Sequence, residues 1–356
     1  MTDTPFDLLT RLLDAPGPSG FETAPARLWH AEAARIADQV RRDVHGNTYA
    51  TLIGTEEAAP RVMLAGHIDE IGVMVVHLDD EGFVWFDPIG GWDSQVFVGQ
   101  RVTLLGRKGP VAGVIGKKAI HLMEKEDREK VSRPQDLWID IGAGTRAEAL
   151  ERVRVGDAGV LSAPVQAMPN RRLVSRSLDN RIGAYVVLEA LRLLRADRPV
   201  ATVTAVATAQ EEIAYTGGGA RTSAVDLDPA CAVVVDVTHA TDTPGVEKKQ
   251  HGDVKLGGGP VLTRGSAANP VVFERMVEAA EAEGIPVVLQ ASPRTTGTDA
   301  DAIFTATRGI ATGVVSVPLR YMHSPNEMVA LSDIEATARL LAAFARRLEP
   351  GASFIP

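Results

Sequence analysis

Leu8, Leu9, Leu12 and Leu13 fall at the three-to-four-residue spacing of one helix face, which predicts a short helix over Asp7 to Asp14 that stops at Pro16-Gly17-Pro18-Ser19-Gly20. A second helix is predicted from Phe21 to Val40. Arg61 to Ala65 then reads as a short apolar strand running into the polar string Gly66-His67-Ile68-Asp69. From about Gly72 to Leu161 the period drops to two. Short strands punctuated by glycine follow one another, among them Val73 to Val76, Gly82 to Phe86, Gln100 to Leu105 and Val111 to Ile115. That texture belongs to a small all-β module inserted into something else. After Asn180 helices and strands alternate: an amphipathic helix from Arg181 to Leu194, strands at Val200 to Thr208 and Ala230 to Val237, a helix from Val271 to Glu283, and strands at Ile285 to Gln290 and Gly313 to Val317. Val200 to Thr208 and Ala230 to Val237 are almost continuously apolar, as expected where helices cover both faces of a parallel sheet. Ser332 and Glu335 have capping-box spacing and predict the start of a last helix ending near Arg347.

The predicted fold class is α/β: a mixed, largely parallel sheet flanked by helices, with an inserted small all-β barrel. The main domain is expected over 1–72 and 163–356 and the insertion over 73–162. A length of 356 residues suits one large domain plus a smaller one. Composition changes the picture mainly by exclusion. A formal charge of -9 without any Lys/Arg-rich run would repel a phosphate backbone or an anionic lipid surface, and 5% aromatics leave little to stack bases on. Neither nucleic acid nor a membrane is an expected partner. Cys231 is the single cysteine, so an intrachain disulfide and a thiolate metal cluster are both ruled out, and its apolar neighbours predict a buried side chain. The N-terminal string MTDTPFDLL has no basic segment followed by an apolar stretch, and no run approaches the ~20 apolar residues of a membrane span. A cytoplasmic location is the resulting expectation.

Metal-capable side chains stand just past the carboxyl ends of predicted buried strands: His67 with Asp69, Glu211 with Glu212, Asp236, and His323. Parallel strands aim those ends the same way, so the four segments would meet in one crevice. Asp179, at the start of the Arg181 to Leu194 helix, adds a fifth group. Two imidazoles and three carboxylates suit a pair of divalent ions such as zinc, cobalt or manganese, and do not suit calcium. Three carboxylates and a bridging hydroxide would neutralise the two cations. Ions ~3.5–4 Å apart need an anionic bridge, assigned here to Asp179. His67 with Asp236 would complete one ion and His323 with Glu212 the other. Asp69 would orient the His67 ring. Adjacent Glu211 and Glu212 point to different sides on an extended chain, which leaves Glu211 free as the general base for amide hydrolysis.

The strings Gly66-His67-Ile68-Asp69-Glu70-Ile71-Gly72, Ser177-Leu178-Asp179-Asn180-Arg181, Ala209-Gln210-Glu211-Glu212, Val235-Asp236-Val237-Thr238, Gly297-Thr298-Asp299-Ala300 and Arg320-Tyr321-Met322-His323-Ser324-Pro325 together resemble the M42 metallo-aminopeptidases, the family of glutamyl, leucyl and deblocking enzymes of the tetrahedral aminopeptidase type. The resemblance spans the chain in the family's order. It implies the same ligands, Glu211 as base, and Asp69 behind His67. It also implies short peptides as substrates and a β-rich insertion used for dimerisation, with dimers building homo-oligomers up to a hollow dodecamer. Some proteins of this kind carry a cellulase label, so glycan hydrolysis is a competing reading, as is a carboxypeptidase or deacylase on the same scaffold. Glycan hydrolysis normally uses two metal-free carboxylates, whereas here the carboxylates travel with histidines.

The other histidines lack such partners. His30, His45, His77 and His251 are expected at the surface; His121 is read as surface rather than as reaching a neighbouring subunit's site, and His239 as loop packing beside the crevice. Gly217-Gly218-Gly219 and Gly257-Gly258-Gly259 have no phosphate-loop context and are expected to permit close backbone approach. Asp299 looks like a helix start that could also meet a substrate amine.

Overall fold

Burial on both faces accounts for the apolar strands. In the structure, a computed structural model describing residues 6–214 and 217–356, every residue from Cys231 to Val237 is buried, as is every residue after the first in Ala311–Leu319. Residues 1–5, part of the N-terminal string read above, lie outside the described residues. Eight strands form one mixed sheet in the order Gln39–Arg42, Thr48–Leu52, Thr202–Thr208, Arg61–His67, Cys231–His239, Ala311–Leu319, Val261–Gly265 and Val288–Ser292. The four central strands, Thr202–Thr208 through Ala311–Leu319, are mutually parallel, so Thr208, His67, His239 and Leu319 end along one rim. Antiparallel pairings at Thr48–Leu52 and Val261–Gly265 make the sheet mixed.

Alternate side chains of each central strand enter different cores. Val62 and Leu64 face the helix Leu178–Ala196 and its neighbours Leu331–Arg346 and Pro270–Ala282, whereas Met63 and Ala65 pack with Ala220, Ala224 and Ile303 on the opposite face. The long helix lies hard against the sheet at Gly66, where a Cβ would stand 2.4 Å from the Gly183 carbonyl carbon. That contact sets the depth at which the residues preceding the helix meet the rim. The Arg181 guanidinium, wholly buried, donates to Glu70 at 2.8 Å and to the Ile68 carbonyl at 2.8 Å, tying the same helix to the segment after His67.

Six further strands close a barrel in the order Gly72–Leu78, Val84–Ile89, Trp138–Asp140, Gly109–Gly116, Arg101–Gly106 and Ala158–Leu161. Val73, Val75, Phe86, Phe97, Leu104 and Ile139 fill it, giving this part of the chain a core of its own. The expected α/β class with a β-barrel insertion is thus the observed one.

Two local expectations are corrected, and one sheet comes in addition. The second helix is Thr23–Ala33 rather than Phe21 to Val40. Ile36 and Val40 prolong the helical spacing, but the Asp38 N–H bonds to Thr51 at 2.9 Å and sheet pairing takes the backbone from there. Ser332 does not cap the last helix, which begins at Leu331 straight out of the strand Glu327–Ala330; the Leu331 N–H bonds to the Arg171 carbonyl at 3.0 Å instead. The strands Gln166–Met168, Arg172–Ser175 and Glu327–Ala330 form a small antiparallel sheet that no periodicity announced. Its register sets Ser175 opposite Glu327 and so brings the approach to Asp179 beside the exit from His323. Among the described residues no helix is long and apolar enough to cross a membrane.

Candidate metal centre

His67 is the last residue of its strand and Asp236 lies within Cys231–His239, so both are carried to the rim by parallel strands. Asp179 and Asn180 have non-helical backbone angles, and the peptide bond between them is cis. The helix is capped by Asn180, whose Oδ1 accepts from the Gly183 N–H at 2.9 Å while its Nδ2 donates to the Val235 carbonyl at 2.7 Å. Asp179 is therefore released from capping and points into the crevice. His323 sits in the left-handed region at φ 57°, in the turn after Ala311–Leu319.

Glu211 and Glu212 are not on an extended segment. Gln210 has φ 61° and Glu212 lies in a turn, and it is this turn that sends the two side chains toward different imidazoles. Asp69 accepts the Glu211 N–H at 3.2 Å on one oxygen and the Glu212 N–H at 3.1 Å on the other. Its expected partner, His67 Nδ1, is 3.3 Å from Asp69 Oδ1 but lacks hydrogen-bond geometry. Farther back, Asn47 Oδ1 accepts the Ala209 N–H at 2.9 Å, and Gly219 comes so close that a Cβ there would stand 2.0 Å from Asn47 Oδ1. The Gly217-Gly218-Gly219 run thus permits the expected close approach. Gly259 also permits close approach, since a Cβ there would stand 2.1 Å from the Pro286 carbonyl oxygen, but Gly257 and Gly259 donate their N–H groups to Asp333, away from the crevice.

The distances around Asp179 decide what the crevice can hold. Its Oδ1 is 3.2 Å from His67 Nε2 and its Oδ2 is 3.4 Å from His323 Nε2, one oxygen for each ring. His323 Nε2 is also 3.4 Å from Glu212 Oε2, and His67 Nε2 is 3.7 Å from Glu211 Oε2. Two ligands on a tetrahedral ion with bonds of ~2 Å stand about 3.3 Å apart, so the contacts of Asp179 and Glu212 with the two imidazoles have the spacing that ligands of shared ions would show. Atoms offered by His67, Asp179 and Glu212 all lie within 4.8 Å of one another. Asp236 borders the same cavity, which has a volume of about 680 Å³.

Charge points the same way. Asp69, Asp179, Glu211, Glu212, Asp236 and Asp299 crowd this end of the sheet, and none is ion-paired with a lysine or arginine among the described residues. Burial first, and then repulsion from Asp236, Asp299 and Asp69, pushes Glu211 well above the carboxylate range although His67 pulls it down. Burial likewise drives Glu212 and Asp236 up, with Asp179 adding to both. Asp179 itself is held low in spite of its burial by His323 and His67. Glu212 Oε1 is buried without a hydrogen-bond partner among the described residues. A buried, mutually repelling carboxylate set with an orphaned oxygen is relieved by bound cations, so the residues present fit divalent metal.

A family model described as M42 glutamyl aminopeptidase matches residues 46–340. The chain belongs to the M42 peptidase family. A lysyl aminopeptidase from Pyrococcus furiosus is 34% identical over 350 residues, which is 97% of this chain and 98% of that protein. A TET aminopeptidase from a marine sediment archaeon of the Thaumarchaeota superposes with a TM-score of 0.91 at 35% identity, over 97% of this chain and 96% of its own. The Pyrococcus horikoshii TET1 peptidase, described as able to assemble into a tetrahedron or a large octahedral shell, gives a TM-score of 0.86 at 30% identity over 97% and 100% of the two chains. As an M42 member the protein is a hydrolase of the aminopeptidase class.

All six residues expected to bind metal or act as base, His67, Asp179, Glu211, Glu212, Asp236 and His323, border the M42 cavity, and Asp69 lies directly behind it. His239 also borders the cavity. His77 and His251 are exposed as expected, while His30 and His45 are half-buried, and Cys231 is buried and free. Glu327 escaped the sequence reading. This carboxylate, 2% exposed, accepts the Asp179 N–H at 3.0 Å on one oxygen and the His323 N–H at 2.9 Å on the other. Nothing in Ser324-Pro325-Asn326-Glu327 signals this, because the contact depends on strand pairing.

Proposed function

We propose that the protein is a two-metal aminopeptidase acting on the N-terminal peptide bond of short peptides. The observation that carries the reading is the Asp179 carboxylate, which turns one oxygen to each of two imidazoles as a bridge between two ions would. His67 and Asp236 would complete one ion and His323 and Glu212 the other, with zinc or cobalt suited to this donor set and manganese also accommodated. Ions held there would supply Lewis-acid chemistry, lowering the pKa of a water and polarising the scissile carbonyl.

The chain's own residues do the rest. Glu211 is the general base: its side chain retains 19% exposure to the cavity and its carboxylate faces His67 without being tied down by a hydrogen bond among the described residues. It takes the proton of the attacking water and returns it to the departing amine. Asp69 sets the position of Glu211 by accepting its N–H and fixing the turn. In this reading residues 1–72 and 163–356 form the catalytic domain, and 73–162 the surface through which subunits pair. Assembly into dimers and higher homo-oligomers such as a dodecamer is supported by the TET relative. A cytoplasmic location fits a chain whose one cysteine is buried and unpaired.

The test uses unblocked, N-acetylated and C-amidated tripeptides with protein stripped by chelator and reloaded with zinc, cobalt or manganese. Release of the first amino acid from the unblocked and C-amidated peptides, lost on stripping and regained on reloading, is expected. Cleavage confined to N-acetylated peptides would support a deacylase, and dependence on a free C-terminus a carboxypeptidase. Hydrolysis indifferent to metal would end the proposal.

A further inference from the structure

Beyond the ligands and the base, the cavity wall holds two more carboxylates, and the structure separates their uses. Asp301 is occupied: it accepts the Thr296 N–H at 2.9 Å, the Thr296 hydroxyl at 2.9 Å and the Gly297 N–H at 2.8 Å, and so shapes its own loop. Asp299 is not. It is 4% exposed, and its one side-chain hydrogen bond among the described residues comes from the Thr208 hydroxyl to Oδ2 at 2.5 Å. Among the described residues Oδ1 accepts nothing, yet Asp299 borders the cavity. Thr208 ends its strand directly opposite His67 in the parallel register, so the hydroxyl suspends Asp299 at the level of the rim where His67 stands. Its charge is felt by both Glu211 and Asp236.

A buried carboxylate with one oxygen anchored and the other open to a cavity is a receptor for a cation that brings its own N–H donors. We propose that Asp299 binds the α-ammonium group of the substrate and thereby makes the cavity select a free N-terminus. The inference rests on the aminopeptidase reading and deepens it. It assigns the exopeptidase character to a side chain outside the metal set. Thr208 acts through Asp299 as a positioning residue.

The test compares two inhibitors that differ only in the amine, leucine hydroxamate and 4-methylpentanoyl hydroxamate, against the metal-loaded full-length protein. A charge-assisted hydrogen bond in a water-poor site makes the amine worth roughly 10- to 150-fold in inhibition constant. In Asp299→Asn and in Asp299→Ser, with metal content checked by elemental analysis, that ratio should collapse to within about threefold, chiefly through weaker binding of the amine-bearing compound. An unchanged ratio in either variant that keeps its metals overturns the proposal. So does an unmodified protein whose ratio is already below about threefold. If the unmodified holoprotein releases no amino acid from any peptide, it is the aminopeptidase reading that fails. The hydroxamate ratio still reports on Asp299 in that case, since it needs binding and not turnover.

Discussion

Replacing Glu327 by glutamine tests whether metal binding depends on a carboxylate that touches no metal. The native side chain accepts two backbone N–H groups, from Asp179 at 3.0 Å and His323 at 2.9 Å, one per oxygen. Glutamine has one acceptor and one NH₂ group, so one of the two backbone donors must face another donor. Losing one hydrogen bond to a buried carboxylate costs about 1.5–3 kcal/mol. The cheaper burial of a neutral amide offsets part of this, because burial and Asp179 already push the Glu327 carboxyl well above its ordinary range. The remainder falls on the backbone positions of Asp179 and His323, the two residues whose side chains face each other at 3.4 Å. Removing such an outer partner typically weakens metal by 10- to 100-fold, an energy of about 1.4–2.7 kcal/mol that the lost bond can supply. Competition titration against a chromophoric chelator measures the affinity, and thermal unfolding of metal-free protein measures the structural share. Activity at saturating metal should stay near that of the unmodified protein and fall at limiting metal. Glu327→Gln protein with metal affinity within about twofold of the original would refute the reasoning, since it would show that Asp179 and His323 are held by something else.

Glu211→Gln should keep both metals by elemental analysis and lower kcat by about 10²- to 10⁴-fold, with loss of metal counting against its place outside the ligand set. Asn47→Ala should destabilise the protein by about 2–4 kcal/mol in denaturant titration, because the Ala209 N–H and the Gly219 carbonyl both lose a buried partner; an effect below about 0.5 kcal/mol would show that the loop is not anchored there. Asp43 provides the pH dependence. Burial raises it, but hydrogen bonds from Tyr49, Asn47 and the backbone outweigh that and hold the folded carboxyl below its ordinary 3.8. Its stabilisation is therefore complete above the unfolded value and lost as pH falls through the lower, folded one. Denaturation curves between pH 6 and pH 3 should be flatter for Asp43→Asn than for the original chain, and curves of equal slope would contradict the assignment.

Residue types and their order were enough to determine the α/β class, the β-rich insertion and the identities of the imidazoles and carboxylates that line the candidate metal centre. Continuously apolar strands report burial on both faces wherever they occur, and imidazoles and carboxylates keep their ligand chemistry in any context. His67, Asp236 and Glu212 were legible because each lies at or shortly beyond the polar end of an apolar run. Local pattern failed where two distant segments compete for the same backbone groups. Ile36 and Val40 keep helical spacing while the backbone from Asp38 onward bonds to the sheet, and Ser332 keeps capping spacing while a strand supplies the helix start. Only the tertiary structure decided that Asn180 caps the helix so that Asp179 is free, that Asp69 grips the Glu211 turn, and that Asp299 hangs from Thr208 opposite His67. Above all it decided the role of Glu327, which lies 148 positions from Asp179 in the chain. Periodicity describes which face of one element is buried; which backbone N–H a remote carboxylate meets is set by strand register and packing depth, and these exist only once the sheets have formed.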